Sequence, residues 1–302
     1  SLGTLVTLGK TAFSLVKANT IISNFKPDVV IGTGGYVCGP ILMAAALRNI
    51  PTLIQEQNVI AGITNKILSR FVDVVAVGYK DAEASFSKAK RVVYTGNPVR
   101  PDVLVDTRED GRNYFNLSDD TFTVLIAGGS RGARTINNAM IDVHKHFQGT
   151  KGIKLIHITG DGEYKSVLSQ LGITDGDGLG DSSLILPYLH DMPKALAAAD
   201  LAVFRSGAIG LAELAVRGIP SVLVPYPYAA EDHQTYNARI FVQEGAAHMI
   251  VDQMLSAHDL IGEIEMFMAN RDLLSQMGER ALQLGKPNAA HDIAKLALSI
   301  AK

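Results

Sequence analysis

Short apolar strands alternate with helices along most of this chain, and that alternation limits its fold more than any other feature. In the first half, a predicted strand at residues 28–31 leads into a helix, and a second strand follows at residues 51–55. In the second half, predicted strands at residues 121–127, 154–159 and 201–204 are each followed by a helix. Strands joined through helices form parallel sheets that helices cover on both faces. The sequence therefore predicts an α/β protein.

The segment Gly96-Asn-Pro-Val-Arg-Pro101 separates the two halves. Its prolines remove backbone donors and fix φ, so we expect a stiff linker there. A chain of 302 residues is long enough for two domains of ~150 residues each. Ligands of open α/β sheets bind beyond the carboxyl ends of the strands, so we expect the loops after these strands to face a cleft between the two domains.

Composition and charge exclude several kinds of partner. The formal net charge is −2, so the chain has no overall attraction to nucleic acid, and we predict no nucleic-acid partner. Cys38 is the single cysteine of the sequence and cannot form an intramolecular disulfide. No uninterrupted apolar run reaches the ~18–20 residues that a membrane-spanning helix needs.

Two glycine-rich turns lie between a predicted strand and a helix. They are Gly32-Thr-Gly-Gly-Tyr-Val-Cys-Gly-Pro40 and Gly128-Gly-Ser-Arg-Gly-Ala133. Glycines let the backbone approach a phosphate, and the Ser130 hydroxyl adds a possible donor. An ordinary tight turn is the alternative for each, and the turns alone do not decide between the two. Neither turn has the G-x-G-x-x-G spacing, which disfavours a nicotinamide site.

A third turn, Arg205-Ser-Gly-Ala208, is followed within its helix by Glu213. The free N–H groups at such a helix start suit a phosphate, and the carboxylate can accept both hydroxyls of a ribose. The alternative is a surface Glu on an amphipathic helix. Beyond the next strand, Gln234 and Asn237 share a helix face and are able to bind sugar hydroxyls together. These residues predict a nucleotide-sugar site.

The sequence offers little for a metal site. The acidic pair of Asp175-Gly-Asp177 lies among Gly and Asp residues, which favours an exposed loop, and the spacing of a calcium loop is absent. The eight His and one Cys have no metal-ligand spacing. We therefore predict neither a metal nor a cofactor. Asp232 is able to cap the helix that follows it, and His233 alone is better explained as a solvated first-turn residue.

Taken together, the motifs resemble the MurG family, the bacterial UDP-N-acetylglucosamine:lipid I N-acetylglucosaminyltransferases of peptidoglycan synthesis. The resemblance runs from Pro27 to about Gly245 in one order. The matching motifs are Pro27-Asp-Val-Val-Ile-Gly-Thr-Gly-Gly-Tyr-Val-Cys-Gly-Pro40, Glu56-Gln-Asn-Val-Ile-Ala-Gly62, Gly96-Asn-Pro-Val-Arg100, Gly128-Gly-Ser-Arg-Gly-Ala133, Arg205-Ser-Gly-Ala208 with Glu213, and Asp232-His-Gln with Asn237.

The resemblance implies the GT-B fold, in which two Rossmann-like domains enclose a cleft. The implied domains are an acceptor and membrane-side domain at residues 1–97 and a UDP-sugar domain at residues 98–287. The last helix, in residues 288–302, is expected to pack back on the first domain.

The resemblance also implies a role for each matching residue. On the donor side, Gly129 and Ser130 should contact the UDP diphosphate, and Tyr188 and Leu189 should line the uracil pocket. The nucleoside should be surrounded by the helix start, with Glu213 on the ribose; the helix start is Ala208, Ile209, Gly210, Leu211, Ala212 and Glu213. The turn before it, Arg205, Ser206 and Gly207, should also bind the substrate. The N-acetylglucosamine should meet His233, Gln234 and Asn237. Asn58 and Arg100 should approach the donor, and Gly34, Gly35 and Tyr36 should face the acceptor diphosphate.

Three features depart from the family pattern. The family's first strand and its Gly-Gly-Thr-Gly-Gly-His loop, which carries the proposed general base, precede the first helix in relatives and have no counterpart in the printed sequence. We therefore assign no catalytic residue, and expect impaired acceptor binding and uncertain activity for a chain that starts here. Gly210 stands where relatives often have Thr, which removes one hydroxyl contact. Cys38 replaces a common Ser.

The implied reaction is an inverting transfer from the UDP-sugar donor to an acceptor linked to undecaprenyl diphosphate. It implies a peripheral location on the cytoplasmic face of the bacterial membrane and a part in cell-wall growth, cell shape and division. The first helix, with Lys10 and Lys17 beside apolar residues, either meets an anionic membrane surface or packs on the sheet. Competing functions are a diacylglycerol glycosyltransferase, a UDP-sugar epimerase and an inactive nucleotide-sugar-binding protein.

Overall fold

The structure is a computed structural model that describes residues 2–129, 132–174 and 179–302. The chain divides into two compact units. One consists of Ser1–Pro98 with Asn288–Lys302, and the other of Val99–Pro287. In each unit helices surround a parallel sheet, which confirms the predicted α/β class.

The first unit contains a parallel sheet with the strand order β1-β2-β3-β4 in its described residues. Its strands are β1 Val30–Gly32, β2 Thr52–Glu56, β3 Val74–Val77 and β4 Val92–Tyr94. Its helices before the linker are α1 Leu2–Phe25, α2 Cys38–Leu47 and α3 Ile63–Leu68, with a 3₁₀ segment at Lys80–Phe86. All of β3 is buried, as expected for an apolar run that is covered on both faces.

The second unit contains a larger parallel sheet with the order β10-β9-β8-β5-β6-β7 in its described residues. The strands are β5 Phe122–Ala127, β6 Ile153–Ile158, β7 Ser183–Leu186, β8 Leu201–Phe204, β9 Ser221–Leu223 and β10 Ala247–Met249. The helices are α4 Pro101–Val105, α5 Arg108–Tyr114, α6 Arg134–His146, α7 Tyr164–Leu171, α8 Met192–Ala198, α9 Ala208–Arg217, α10 His233–Gln243, α11 Ala257–Ala269 and α12 Arg271–Leu284. Two 3₁₀ segments lie at Ala230–Asp232 and Asp252–Met254.

The C-terminal helix α13, Ala289–Ile300, belongs to the first unit. Its Ile293 and Leu296 pack in one cluster with Leu53 and Val74. Successive strand residues point to opposite faces, and Val75 accordingly belongs to the cluster on the other face of the sheet. The first sheet is therefore covered on one face by α13.

Helix α1 packs on α2 through small residues. Ala18 and Ile22 are buried together with Ala44 and Ala45. None of the helices in the described part of the chain has both the length and the apolar character needed to cross a membrane.

Candidate functional site

The second sheet has a topological switch point between β5 and β8. From β5 the chain moves to β6 and β7 on one side, then returns to place β8 on the other side. Ala127 and Phe204, the last residues of β5 and β8, are partners in register. The turns after these two strands therefore start side by side, at the position where open α/β sheets bind ligands.

The turn after β5 requires glycine at two positions. A Cβ on Gly128 would lie 2.4 Å from the Ala133 Cβ, and a Cβ on Gly132 would lie 2.0 Å from the Thr159 carbonyl oxygen. Gly132 also has a left-handed φ of +74°. Its N–H donates to the Gly129 carbonyl at 2.9 Å. Ser130, predicted to contact the diphosphate, lies outside the described residues, as do Asp175 and Asp177.

The turn after β8 leaves a helix start open. Gly207 is the extended residue before α9, and no side chain caps the helix. The first intrahelical bond runs from the Leu211 N–H to the Gly207 carbonyl at 3.0 Å. The N–H groups of Ala208, Ile209 and Gly210 have no protein partner among the described residues. Because a helix start carries free donors and a partial positive charge, this end of α9 suits an anion.

Glu213 lies in the same helix and pairs with Arg100. The Arg100 Nε donates to the Glu213 Oε1 at 2.9 Å, and the Glu213 side chain is only 9% exposed while that of Arg100 is 47% exposed. Among the described residues the second carboxylate oxygen has no hydrogen-bond partner, and a carboxylate can accept several hydrogen bonds. The amphipathic-surface alternative for Glu213 is therefore wrong, because this carboxylate is buried and paired. Ala212 lies beside it, and Leu211 points into the core with no exposed surface.

Arg205 has a structural position that the sequence did not predict. Its Nη1 donates to the Val224 carbonyl at 3.0 Å and to the Pro225 carbonyl at 3.1 Å, and pairs with Asp252. Asp252 also accepts a hydrogen bond from the Thr135 hydroxyl, at 3.1 Å, in the first turn of α6. Arg205 therefore holds the ends of β8 and β9 to the helix that follows the glycine turn, and its predicted contact with the substrate stays a prediction.

Ser206 and Asn237 hold the β8 turn against α10. The Ser206 Oγ donates to the Gln234 carbonyl at 2.8 Å, and the Asn237 Nδ2 donates to the Ser206 carbonyl at 3.2 Å. Both side chains are fully buried. Both side chains therefore position the turn, and their predicted contacts with the substrate stay predictions. A sequence pattern cannot show this, because the partners are 28 and 31 residues apart.

The start of α10 differs from the predicted cap. Asp232 has a left-handed φ of 53° and makes no side-chain cap bond to the helix. The Gln234 Oε1 accepts from the Tyr226 N–H at 2.9 Å, and the His233 Nδ1 lies 2.8 Å from the Ala230 carbonyl. Glu231 is left-handed as well. Two consecutive non-glycine residues in this region store strain, which commonly accompanies a functional loop.

The residues predicted for the uracil pocket line a groove beside the edge strand β7. Tyr188 is half exposed and stacks edge-on against His190, with ring centroids 4.8 Å apart. The groove has a volume of about 570 Å³. Its lining residues are Tyr114, Phe115, Asn116, Lys154, Leu184, Leu186, Tyr188, Leu189, His190 and Asp191. Tyr188 and Leu189 therefore line the same groove, whose walls contain both apolar and polar residues. Their contact with uracil stays a prediction.

The first unit places its predicted acceptor residues in a loop after β1. Gly34 and Gly35 have left-handed φ values, and Tyr36 is 84% exposed. Asn58 lies in a separate loop that the buried Glu56 organises. Glu56 accepts from the Asn58 N–H at 2.9 Å and from the Asn65 Nδ2 at 2.8 Å.

The chain matches known proteins closely enough to establish its family. Residues 123–296 match the glycosyltransferase family 28 C-terminal domain, and residues 3–77 match the N-terminal domain of that family. A protein of Thermoanaerobacter sp. (strain X514), named UDP-N-acetylglucosamine--N-acetylmuramyl-(pentapeptide) pyrophosphoryl-undecaprenol N-acetylglucosamine transferase, is 44% identical over 99% of this chain and 82% of its own length. A Desulforamulus reducens protein of the same name is 46% identical over 91% of this chain and 74% of its own length. The chain belongs to the MurG family.

Solved structures agree with the MurG assignment. The crystal structure of Acinetobacter baumannii MurG matches with a TM-score of 0.74 and 31% identity, over 94% of this chain and 77% of that one. A Staphylococcus aureus MnaA–UDP structure matches with a TM-score of 0.71 over 97% of this chain and 82% of that one, and its 16% identity shows the fold alone. The predicted family, GT-B fold and glycosyltransferase class are confirmed.

This MurG-family chain also contains a buried chain of polar side chains that the sequence did not predict. The His144 Nδ1 lies 2.8 Å from the Ser183 Oγ, and the His144 Nε2 lies 3.1 Å from the His157 Nδ1. The His157 Nε2 lies 3.0 Å from the Asn137 Oδ1. The Asn137 Nδ2 donates to the Thr159 carbonyl at 2.9 Å. Burial lowers the pKa of His144 to about 4, and burial followed by the nearby His144 lowers the pKa of His157 well below its ordinary value.

We expect these histidines to make the protein less stable in acid. The pKa of His144 is about 4 when folded and near 6.5 when unfolded, so the unfolded state binds a proton first as the pH falls. The free energy of unfolding therefore keeps its full value above pH ~6.5. Between pH ~6.5 and ~4 it falls by roughly 1.4 kcal/mol per pH unit because of this histidine. The free energy of unfolding, measured with urea at pH 7 and at pH 5, should fall between these two pH values in the wild type. In His144→Gln this fall should be smaller by about 2 kcal/mol.

His146→Gln is the matched control for this measurement, because His146 lies on the same helix with an exposed side chain paired to Glu265. It should keep the wild-type loss between the two pH values. Equal losses in wild type and His144→Gln would contradict the prediction.

Proposed function

We propose that this chain transfers N-acetylglucosamine from UDP-N-acetylglucosamine to the C4 hydroxyl of the muramoyl sugar of lipid I, which yields lipid II for peptidoglycan synthesis. The name that its relatives share at 44–46% identity supports this reaction. The structural observation that carries it is the uncapped start of α9, with the buried carboxylate of Glu213 in the same helix, at the switch point of the second sheet. The free N–H groups of the helix start suit a phosphate, and the carboxylate suits the hydroxyls of a ribose.

We assign the donor roles from the family motifs, and the positions of the described residues support them. The N–H groups of Ala208, Ile209 and Gly210 face the diphosphate together with the turn of Gly129 and Ser130. Glu213 accepts the ribose hydroxyls on the carboxylate oxygen that Arg100 leaves free. Uracil enters the groove at Tyr188 and Leu189. The N-acetylglucosamine lies near His233 and Gln234, and Asn58 is assigned to the donor by its match to the family motif alone.

The reaction is a single displacement with inversion at C1 of the donor sugar. The acceptor oxygen forms a bond to C1 while the bond from C1 to the diphosphate oxygen breaks, and the hydroxyl proton leaves to a general base outside the residues assigned above. Negative charge grows on the departing UDP. Each charge-assisted hydrogen bond contributes roughly 1.5–3 kcal/mol net, and each helix end roughly 0.3–2 kcal/mol. Backbone donors at the two turns thus assist departure.

The acceptor side belongs to the first unit and to a membrane surface. Gly34, Gly35 and Tyr36 form the loop that we assign to the acceptor diphosphate. Helix α1 buries Ala18 and Ile22 and leaves Phe13 and Val16 exposed by 70% and 67%. This pattern supports the membrane alternative for α1, with a peripheral location on the cytoplasmic face of the membrane.

Membrane binding is expected to depend on this exposed face. Phe13→Ser combined with Val16→Ser should reduce the fraction of protein that floats with anionic liposomes about fivefold or more, because apolar burial at the interface is lost. Charge reversal at Lys10 and Lys17 should reduce it as well, most strongly at low salt. Leu298→Ser is the control, since Leu298 is 74% exposed on α13. Equal flotation of all variants would contradict the assignment.

The reaction itself is tested by incubating the chain with labelled UDP-N-acetylglucosamine and a soluble lipid I analogue. The expected result is a labelled disaccharide product and release of UDP, with no isomerised UDP-sugar when the acceptor is absent. The same assay on the chain preceded by the first strand and glycine loop of a relative shows how far that segment raises acceptor use. Isomerisation without acceptor would instead support an epimerase, and UDP binding without transfer by either protein would support a binding protein.

A further inference from the structure

We propose that the buried side chains of Ser183, His144, His157 and Asn137 position the glycine turn that holds the diphosphate. This inference rests on the proposed function of that turn. The four side chains run from the edge strand β7 through α6 and β6 to the Thr159 carbonyl, and all of them are buried. They are positioning residues, because the diphosphate contacts belong to the turn.

The direction of every hydrogen bond in this chain follows from its last member. The Thr159 carbonyl only accepts, so the Asn137 Nδ2 faces it and the Asn137 Oδ1 faces His157. His157 therefore carries its proton on Nε2. Its Nδ1 is then an acceptor in the neutral ring, so His144 also carries its proton on Nε2.

The first member then has one role left. With its Nδ1 unprotonated, His144 accepts from the Ser183 hydroxyl. All four bonds donate in the same sense, toward Thr159. Such a chain strengthens cooperatively and permits one arrangement of its side chains. The low pKa of both histidines keeps the rings neutral, which this arrangement requires.

The receiving carbonyl lies directly beneath the glycine turn. A Cβ on Gly132 would come within 2.0 Å of the Thr159 oxygen, so the Gly132 α-carbon lies against that carbonyl. The Thr159 N–H is held by the Leu186 carbonyl at 2.9 Å. The Thr159 N–H is bonded on one side and its carbonyl is bonded to Asn137 on the other. These two bonds hold Thr159 in place, and Gly132 packs against it. A shift of this carbonyl would move the turn.

Core packing alone does not account for the arrangement. Polar side chains cost free energy to bury, and apolar residues of similar size give a more stable core. Immediate neighbours such as Ile136, Ile156 and Ile158 are apolar and buried. A polar chain that is fully satisfied specifies one geometry, which a site that must present backbone donors at fixed positions needs.

The test compares the affinities of UDP and uridine by calorimetry for wild type, Asn137→Leu and Ser183→Ala. Asn137→Leu keeps the side-chain volume and removes the bond to Thr159. We expect it to weaken UDP about tenfold and to leave uridine within about twofold, because uridine lacks the diphosphate that the turn binds. Ser183→Ala removes only the hydroxyl at the far end of the hydrogen-bonded chain, so it should fold even if Asn137→Leu does not. It should weaken UDP binding about threefold.

Ile136→Val is the matched control, because it loosens the same helix without touching the chain. It should bind both ligands like the wild type. Equal losses for UDP and uridine, or unchanged UDP affinity in both variants, would overturn the inference while leaving the proposed function intact. A wild type that does not bind UDP would overturn the proposed function and this inference with it. Imidazole ¹⁵N spectra should show both buried histidines as neutral Nε2–H tautomers, and any other tautomer overturns the bond directions.

Discussion

Replacing Gly132 by alanine is expected to lower kcat/KM for UDP-N-acetylglucosamine on the order of 100-fold. The added Cβ would lie 2.0 Å from the Thr159 carbonyl oxygen, which is backbone and cannot swing away. A left-handed φ costs an alanine roughly 1–2 kcal/mol in addition. The turn has to move, and its donors then miss the diphosphate. Steady-state kinetics with circular dichroism as a folding check measures the effect.

Two other glycines act as controls for this substitution. Gly162 lies in the loop after β6, with nothing within 4 Å of an added Cβ, so Gly162→Ala should stay within about twofold of wild type. Gly129 has open space but a φ of +88°, so Gly129→Ala should fall between the two. A folded Gly132→Ala variant with wild-type kinetics would show that the turn does not hold the donor.

Replacing Glu213 by alanine is expected to weaken UDP binding about 10- to 100-fold, equal to roughly 1.5–3 kcal/mol. The lost contact is a charge-assisted hydrogen bond that the carboxylate accepts from the ribose, and this carboxylate is almost shielded from water. Arg100 loses its partner, but its half-exposed side chain can be hydrated, so we expect little change in stability. Calorimetry gives the affinity, and urea unfolding gives the stability.

A ligand change identifies the group that Glu213 binds. UDP without its two ribose hydroxyls should bind wild type and Glu213→Ala with the same affinity, because it cannot use the carboxylate. Glu263→Ala is the matched control, since that carboxylate also pairs with one side chain, His248, but lies on α11. Unchanged UDP affinity in folded Glu213→Ala would remove Glu213 from the ribose site.

Much of the architecture was predictable because it depends on local rules. The apolar runs of β5 and β8, the glycines that follow them and the periodic helices all express requirements of adjacent residues. The sequence also placed Gly128, Gly132 and Gly207 at turns, and the structure shows a steric reason for glycine at the first two. It missed β10 and the helices α3, α4 and α5, which are too short to show a clear hydrophobic period.

The partners of the polar side chains were not predictable. Arg205, Ser206 and Asn237 were predicted only as ligand contacts, and the structure shows that each also holds the β8 turn to another part of the second unit. The hydrogen bonds between the buried histidines could not be predicted either. The sequence of an apolar strand or helix is the same whether its histidine only packs or also joins a chain of hydrogen bonds. Asp252, 47 residues beyond Arg205, matched no motif at all.

The α/β class and the positions of the turns were readable from the residues alone, because backbone dihedrals and hydrophobic periodicity depend on near neighbours. The order of the motifs along the chain was enough to identify the family. Which polar groups contact one another depends on the folded arrangement of the strands and helices. The return of the chain to place β8 beside β5 brings the two turns together, and the packing of α6 across β6 aligns Asn137 with His157 and His144. Each of these side chains has many possible partners along the sequence, and the order of strands in the sheet selects one.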